Sequence, residues 1–535
     1  MRISRLTVCN HLAVPEIDIE VREHLVLVGP NESGKTSLLR LLDGMLCGSL
    51  GRLYGLIDVG DLRDPSRPMT CEIEFRDFTE DEKASLPEQI EVLPDSAQRL
   101  RLLLRATPDP AGDEVALERV FIKPGLAIAA TAAHLECVGW TLLPAGRSPD
   151  RELGAGRRSA IGGLLGSVDL GASLSEIVSA VENLHGVVHD APALVKLRES
   201  LASALGELLP RGVEADDLVL ELPRADAHAP LADVDVKLKH GTAPRPLRDQ
   251  SDGVRAMSTV AIQLLARGGA RIIAVDEPEI HLHPRAQART GSMLRDKAGQ
   301  AVIATHAPAV LTQFSPMHAV AFVGGACRQL SVEPFHDEPK AADQWWTTPT
   351  LEPLTSRCVV LVEGVADRVM VEACAIALGF DFDRLGIVVA AVNGAGGFKM
   401  ALRLFGAQGF GVPLVGLVDL SEADDVAKYL GINRSEVPGA GFLICDPDLE
   451  MECVRGLGAE AHARRLIATG FFKESAICAG NSVAGLASLQ NEPYAAWCRT
   501  RKTEVAAALA SELTKSDASS LEVLAAVVAD AVARV

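Results

Sequence analysis

The chain has 535 residues, 48% of them hydrophobic, and a formal net charge of −19. That length implies roughly three or four domains, and that charge argues against a general nucleic-acid coat, which needs clustered Lys and Arg. No apolar run approaches the roughly 18–20 residues of a membrane span, and the opening MRISRLTVCN lacks the apolar stretch of a secretory signal. The eleven cysteines are scattered without a CxxC pair, so neither a zinc site nor a disulfide framework is indicated. The expectation is a cytoplasmic protein with no membrane partner. A DNA enzyme stays open, because metal-binding carboxylates are acidic and a local basic strip suffices. Candidate strips are Arg99, Arg101 and Arg105, then Arg464 and Arg465, then Arg499, Arg501 and Lys502. Solvated helix faces are the alternative for each.

Residues 1–45 read strand, strand, strand, loop, helix: RISRLTV, EIDIEV, HLVLVG, then PNESGKTS opening into LLRLLDGML. Stretches 70–75 and 100–105 read as further strands. Residues 107–114 are turn-rich, and 146–160 read as a surface connection. From 173 to 208 apolar residues recur at every third or fourth position, and Ser173 with Glu176 fits a capping box. This predicts a helical insertion, with an ordinary amphipathic pair packed on its own domain as the alternative. Strands are expected at 218–222, 233–237 and 271–275, a helix after Gln250, and alternating helices and strands to the end. The Pro-rich polar segment 336–357 marks a linker. The layout is therefore a first part (1–172), the insertion (173–210), a second part of the same domain (211–335), the linker, and a final domain (358–535).

Gly29, Pro30, Asn31, Glu32, Ser33, Gly34, Lys35 and Thr36, followed by Ser37, match GxxxxGK[ST] between a strand and a helix. Backbone N–H groups of such a loop cradle phosphate oxygens, Lys35 reaches the β- and γ-phosphates, and Thr36 holds Mg²⁺. RIIAVDEPEIHLHP is a buried strand ending in Asp276, which supports the metal, and Glu277, which polarises the attacking water. QSDGVRA precedes a helix and looks like a divergent ABC signature, with Ser251, Gly253 and Arg255 facing the γ-phosphate of a second subunit. VIATHAP ends a strand at His306, which looks like a γ-phosphate-sensing histidine. The order of these elements and the long insertion between the first two resemble the ABC, SMC and RecF-like ATPases. A signature acting in trans implies ATP-dependent dimerisation, so a homodimer or higher homo-oligomer is expected. No Q-loop glutamine stands out.

Downstream of 357, strand CVVLVE leads into helix ADRVMVEACAIAL, strand GIVVAAV into Asn393 and GAGGF, and strand PLVGLVD ends at Asp419; GFLICDPDLE reads as a strand carrying Asp446, Asp448 and Glu450. Carboxylates at the carboxyl ends of parallel strands converge on one sheet edge. Such a cluster suits one or two hard cations, which activate water and stabilise the leaving oxygen of a phosphodiester.

This pattern resembles a Toprim domain. The whole chain resembles the OLD (overcoming lysogenisation defect) family of ATP-dependent nucleases, which includes the Gabija nuclease subunit. The likeness rests on GPNESGKTS, VDEPEIHLHP, ATHAP, LVEGVAD and DPDLE. It implies an α/β fold: an ABC/RecF-like ATPase head with an inserted helical dimerisation element at 173–210, followed by a Toprim domain. It also implies that Glu363, Asp367, Asp419, Asp448 and Glu450 are catalytic metal ligands, and that Lys502 stabilises transition-state charge, with an exposed helix lysine as the alternative. ATP, Mg²⁺ (or Mn²⁺ or another divalent cation), DNA and a helicase-like or effector protein are the implied cofactors and partners. One position departs from the family's DxD pattern: Ser421 stands where a second carboxylate is expected, with Glu422, Asp424 and Asp425 as candidate substitutes. The function expected is an ATP-regulated, metal-dependent DNA endonuclease or nickase in defence against phage or plasmids. The alternative is an ATPase sensor whose degenerate Toprim domain recruits or restrains a partner.

Overall fold

Met69–Arg76 alternates buried and half-buried residues along its length, the pattern of an antiparallel strand covered on one face. Ile272–Asp276, Gln300–Thr305 and Cys358–Val362 are buried at every position, the pattern of parallel strands covered on both. The computed structural model describes residues 1–109, 114–145, 236–240, 243–266, 272–331 and 351–535, with Trp346 and scattered residues between 153 and 196. In chain order the N-terminal strands are β1 (Arg2–Cys9), β2 (Ile17–Glu20), β3 (Leu25–Val28), β4 (Met69–Arg76), β5 (Glu91–Val92), β6 (Gln98–Pro108), β7 (Val115–Lys123), β8 (Leu126–Ala129), β9 (Thr141–Leu143), β10 (Lys237–His240), β11 (Ala243–Pro246), β12 (Ile272–Asp276), β13 (Gln300–Thr305), β14 (Ala319–Val323) and β15 (Ala326–Gln329). The C-terminal strands are β16 (Cys358–Val362), β17 (Ile387–Ala391), β18 (Leu414–Asp419) and β19 (Phe442–Cys445).

An antiparallel sheet, β2-β1-β4-β6-β7-β8 with β5 on β6, lies beside a sheet ordered β15-β14-β3-β13-β12-β9. The second sheet is parallel except for β15. Helix Lys35–Leu46 buries Leu38, Leu39, Leu42 and Met45 against both sheets in one core. The third sheet, β17-β16-β18-β19, is wholly parallel. A single apolar core runs from Val26, Ile303 and Ala321 of the second sheet to Leu361 and Val418 of the third, and takes in Phe405 of helix Ala395–Phe405. The segment read as a linker contributes Trp346, Leu351 and Leu354 to that core, and the Trp346 indole N–H donates to Leu311 O at 3.0 Å.

One expectation is corrected, and much of another lies outside the described residues. Residues 173–180 of the insertion are helical, but most of its remainder, the strand expected at 218–222 and most of 233–237 lie outside the described residues. The strand–helix alternation expected to the end stops at β19. From Leu449 onward the regular elements are helices, which include Leu449–Leu457, Asn491–Arg499, Lys502–Glu512 and Glu522–Ala533. Their Ala-rich apolar faces pack on helix Val365–Leu378 and on one another in a third core, so the sheet is covered by a helical layer and gains no further strand.

Candidate functional site: a nucleotide cradle and a carboxylate edge

The loop between β3 and helix Lys35–Leu46 turns through Gly34 at φ 99°, where a Cβ would lie 2.3 Å from Ala13 O; only glycine fits. The turn wraps the loop around Lys35, which is 7% exposed. Lys35 Nζ donates to Gly29 O at 2.8 Å, Pro30 O at 2.7 Å and Ser33 Oγ at 3.2 Å, so its charge is held inside the loop. Burial lowers the Lys35 pKa, against the pull of Glu277, Asp276 and Glu279. Thr36 Oγ1 donates to Asp276 Oδ1 at 3.1 Å, joining the two motifs across β3 and β12. Burial pushes the Asp276 carboxyl up. Glu277 follows at φ 47°, with its N–H on Ala304 O at 2.9 Å.

Sequence reading missed Glu279. It is 6% exposed and accepts the Thr305 hydroxyl at 2.9 Å on both oxygens and the His306 N–H at 2.9 Å. His306 Nδ1 stands 3.2 Å from its Oε1 and 3.9 Å from Glu277 Oε1. Glu279 therefore holds the backbone of His306 and stands beside its ring. The available signal was a second glutamate two residues after Glu277, on the strand-end turn that faces β13. In the signature segment, the Ser251 carbonyl accepts the Arg255 N–H at 2.9 Å, and a Cβ on Gly253 would lie 3.4 Å from His281 O. The segment therefore lies against the turn that follows Asp276 and Glu277.

At the C-terminal sheet, β16 and β18 are parallel neighbours, so Glu363, just past β16, and Asp419, the last residue of β18, share one edge. Asp367 begins helix Val365–Leu378 and caps it, accepting the Gly364 N–H at 2.8 Å. The next loop is pinned to the same edge: Asn393 N–H donates to Glu363 O at 2.8 Å, and Gly397 passes so close to Val392 O that a Cβ would sit 1.8 Å away. Asp448 and Glu450 are not on a strand, because β19 ends at Cys445. Asp448 is the N-cap of helix Leu449–Leu457, accepting Met451 N–H at 2.9 Å, and Glu450 lies in its first turn.

These groups feel one another. Burial, then Asp367 and Glu363, push the Asp419 carboxyl up to about 8, with Lys502 opposing. Burial raises Asp367 and Glu450 as well. Burial opposes the charge on Lys502, but Glu450, Asp419, Glu363 and Asp367 together outweigh it and raise its pKa. Lys502 Nζ lies 3.7 Å from Glu450 Oε2, a buried oxygen with no hydrogen-bond partner among the described residues. A neighbour absent from the sequence reading of this cluster is the Arg499–Asp448 pair: Arg499 Nε donates to Asp448 Oδ2 at 2.5 Å and Nη2 to Oδ1 at 3.3 Å.

Among the described residues, no group of three or more His, Cys, Asp or Glu side chains is set to hold a metal ion. Asp367 is instead turned to the Gly364 N–H, and Asp448 to Arg499 and the Met451 N–H. The donor set nonetheless fits a hard cation. Glu450 Oε2 is an orphaned buried acceptor, and Asp419 carries the cost of charge that a cation would offset. Ser421 is exposed in the turn after β18, where Leu420 N–H donates to Cys445 O and Pro447 O, each at 3.0 Å. Glu422, Asp424 and Asp425 open helix Ala423–Leu430, and Asp424 and Asp425 point outward. The basic strips are largely neutralised: Arg99 pairs with Glu91, Arg101 with Glu72, Arg105 with Glu118, Arg464 with Glu460 and Arg465 with Asp517. Arg501 lies over the Trp497 ring at 4.7 Å.

Comparison with known families matches residues 152–312 to "AAA domain, putative AbiEii toxin, Type IV TA system" and residues 354–420 to "Overcoming lysogenization defect protein-like, TOPRIM domain". Curated proteins give no match. Among solved structures, the chain is similar to the C-terminal region of the Xanthomonas campestris pv. campestris OLD protein, at 24% identity over 34% of this chain and 95% of that one (TM-score 0.29). It is similar to the C-terminal region of the Burkholderia pseudomallei OLD protein, at 24% identity over 32% and 96% (TM-score 0.28). It is also similar to the SMC head domain from Thermotoga maritima, at 13% identity over 62% and 100% (TM-score 0.31). No helix of the described residues is long and apolar enough to cross a membrane. The chain thus joins an AAA-type ATPase domain to a domain matching the OLD-like TOPRIM family.

Proposed function

We propose that this protein is an ATP-regulated, divalent-metal-dependent DNA endonuclease or nickase that acts in defence against phage or plasmids. The observation that carries the reading is the mutual electrostatic influence of Glu363, Asp367, Asp419, Glu450 and Lys502 at one edge of the Toprim sheet. Glu363, Asp367, Asp419, Asp448 and Glu450 are the residues that would hold Mg²⁺ or Mn²⁺, which when bound supplies Lewis acidity and a more acidic water. Lys502 places a positive charge beside the same carboxylates and would offset phosphate charge as the diester breaks. In the head, Lys35 and the loop amides would bind the phosphates, Thr36 and Asp276 the accompanying Mg²⁺, and Glu277 would orient water. Ser251 and Gly253 would complete the site of a second copy, making nucleotide state a control on the dimer. Incubation of supercoiled plasmid with Mg²⁺ or Mn²⁺ tests this: wild type nicks, and Glu363→Ala and Asp448→Ala do not. Nicking that survives both substitutions refutes the assignment.

A second reading has its own observation. Ser421 is exposed where a carboxylate is expected, and Asp448 is already paired with Arg499. An ATPase sensor with a degenerate Toprim domain that recruits or restrains a partner protein would look this way. Absence of nicking by wild type under every metal and nucleotide condition would favour it.

A further inference from the structure

A cavity of about 470 Å³ lies between the two domains, within the size range of small-molecule sites. One wall is Pro30–Ser33 of the nucleotide loop, and the facing wall includes Arg357, Pro413 and Arg534 of the Toprim side. We propose that this cavity receives the nucleoside end of the nucleotide bound by the loop, and that Arg357 and Arg534 are its base-contacting residues. The proposal rests on the ATP-binding reading given above and deepens it.

The chemistry suits a flat aromatic ring. Arg534 spends its in-plane donors on backbone, Nη1 on Leu414 O at 2.5 Å and Nη2 on Ala440 O at 3.2 Å, which leaves the guanidinium face for stacking. Arg357 is exposed, its side chain has no hydrogen-bond or ion-pair partner among the described residues, and its stem packs on Gly386, where a Cβ would lie 3.3 Å from Arg357 Cγ. Leu12 and Pro15 add apolar wall, and the Glu32 carboxylate, on the loop itself, favours a hydroxyl-bearing ribose over another phosphate. A nucleotide seated here touches the residue that holds Leu414, the first residue of β18, whose last residue is Asp419. Base contact at Arg534 would then bear on the strand that ends at Asp419.

The test is calorimetric binding of ATP and of inorganic tripolyphosphate to the full chain, as wild type, Arg357→Ala and Lys35→Ala. The expected result is that Arg357→Ala weakens ATP roughly five- to tenfold, the range of a lost cation–π contact, and leaves tripolyphosphate within about twofold. Lys35→Ala weakens both. Equal effects of Arg357→Ala on the two ligands, or none on either, overturn the proposal while leaving the loop assignment intact. Unchanged binding of both ligands by Lys35→Ala overturns the loop assignment and this proposal together.

Discussion

Asp276 and Asp419 are both aspartates at the carboxyl end of a buried parallel strand, and burial pushes both carboxyls up. Their surroundings differ. Asp276 has the Thr36 hydroxyl at 3.1 Å and Lys35 nearby, and the adjoining Glu279 accepts from the Thr305 hydroxyl and the His306 N–H. Asp419 faces Asp367, Glu363 and Asp448, with Lys502 as the opposing cation. The head's site is internally satisfied before any ligand arrives, whereas the Toprim edge stores repulsion that a cation would relieve. The first arrangement fits a switch with a defined resting state. The second fits a site whose ligands rearrange as metal enters.

Substitutions at the two sites sharpen the contrast, starting with the largest expected effect. Glu363→Ala removes one carboxylate of the proposed metal edge, and plasmid nicking should fall roughly 10²–10³-fold, as when a group that stabilises transition-state charge is lost. Glu277→Gln should lower ATP turnover about 10²-fold, the lower bound of a general-base contribution, with nucleotide retained in a dimer measurable by light scattering; turnover at the parental rate contradicts the base assignment. Glu279→Gln should cut ATPase kcat about tenfold with little change in KM. In a His306→Ala background the same substitution should add almost nothing, because coupled residues are non-additive. Additive losses would make Glu279 a structural residue only.

Smaller effects test the Toprim edge. Ser421 is exposed in a turn, so Ser421→Asp should leave the melting temperature nearly unchanged and lower the Mg²⁺ concentration for half-maximal nicking several-fold. Its failure to do so would mean that this position plays no part in holding metal. The Asp419 carboxyl is raised from 3.8 to about 8, so between those pH values the folded protein holds a proton that the unfolded chain has lost. The associated stability is complete below about pH 4 and disappears as pH rises toward 8. In EDTA, the melting temperature of wild type should fall across that interval, and that of Asp419→Asn should fall less.

Much of this contrast was legible in the chain. GPNESGKT and VDEPE carry their chemistry within continuous strand–loop–helix segments, so spacing and context placed them. LVEGVAD and the end of β18 were legible for the same reason. DPDLE reads as the end of a strand in the sequence, whereas the strand stops at Cys445 and Asp448 caps the helix that follows. The Arg499–Asp448 and Glu279–His306 pairs could not be read, since each joins residues far apart in sequence that only the folded elements bring together. The cavity at Arg357 and Arg534 is likewise a property of domain packing.

The central claim is that nucleotide in the head governs metal-dependent cutting at the Toprim edge. The most direct measurement is the initial rate of supercoiled-plasmid nicking by wild type and Glu277→Gln in Mg²⁺ or Mn²⁺, with and without ATP. The account predicts that ATP changes the rate, that Glu277→Gln locks the ATP-bound rate in place, and that Glu363→Ala lowers cutting roughly 10²–10³-fold in every state. Identical rates with and without ATP in both proteins would contradict it.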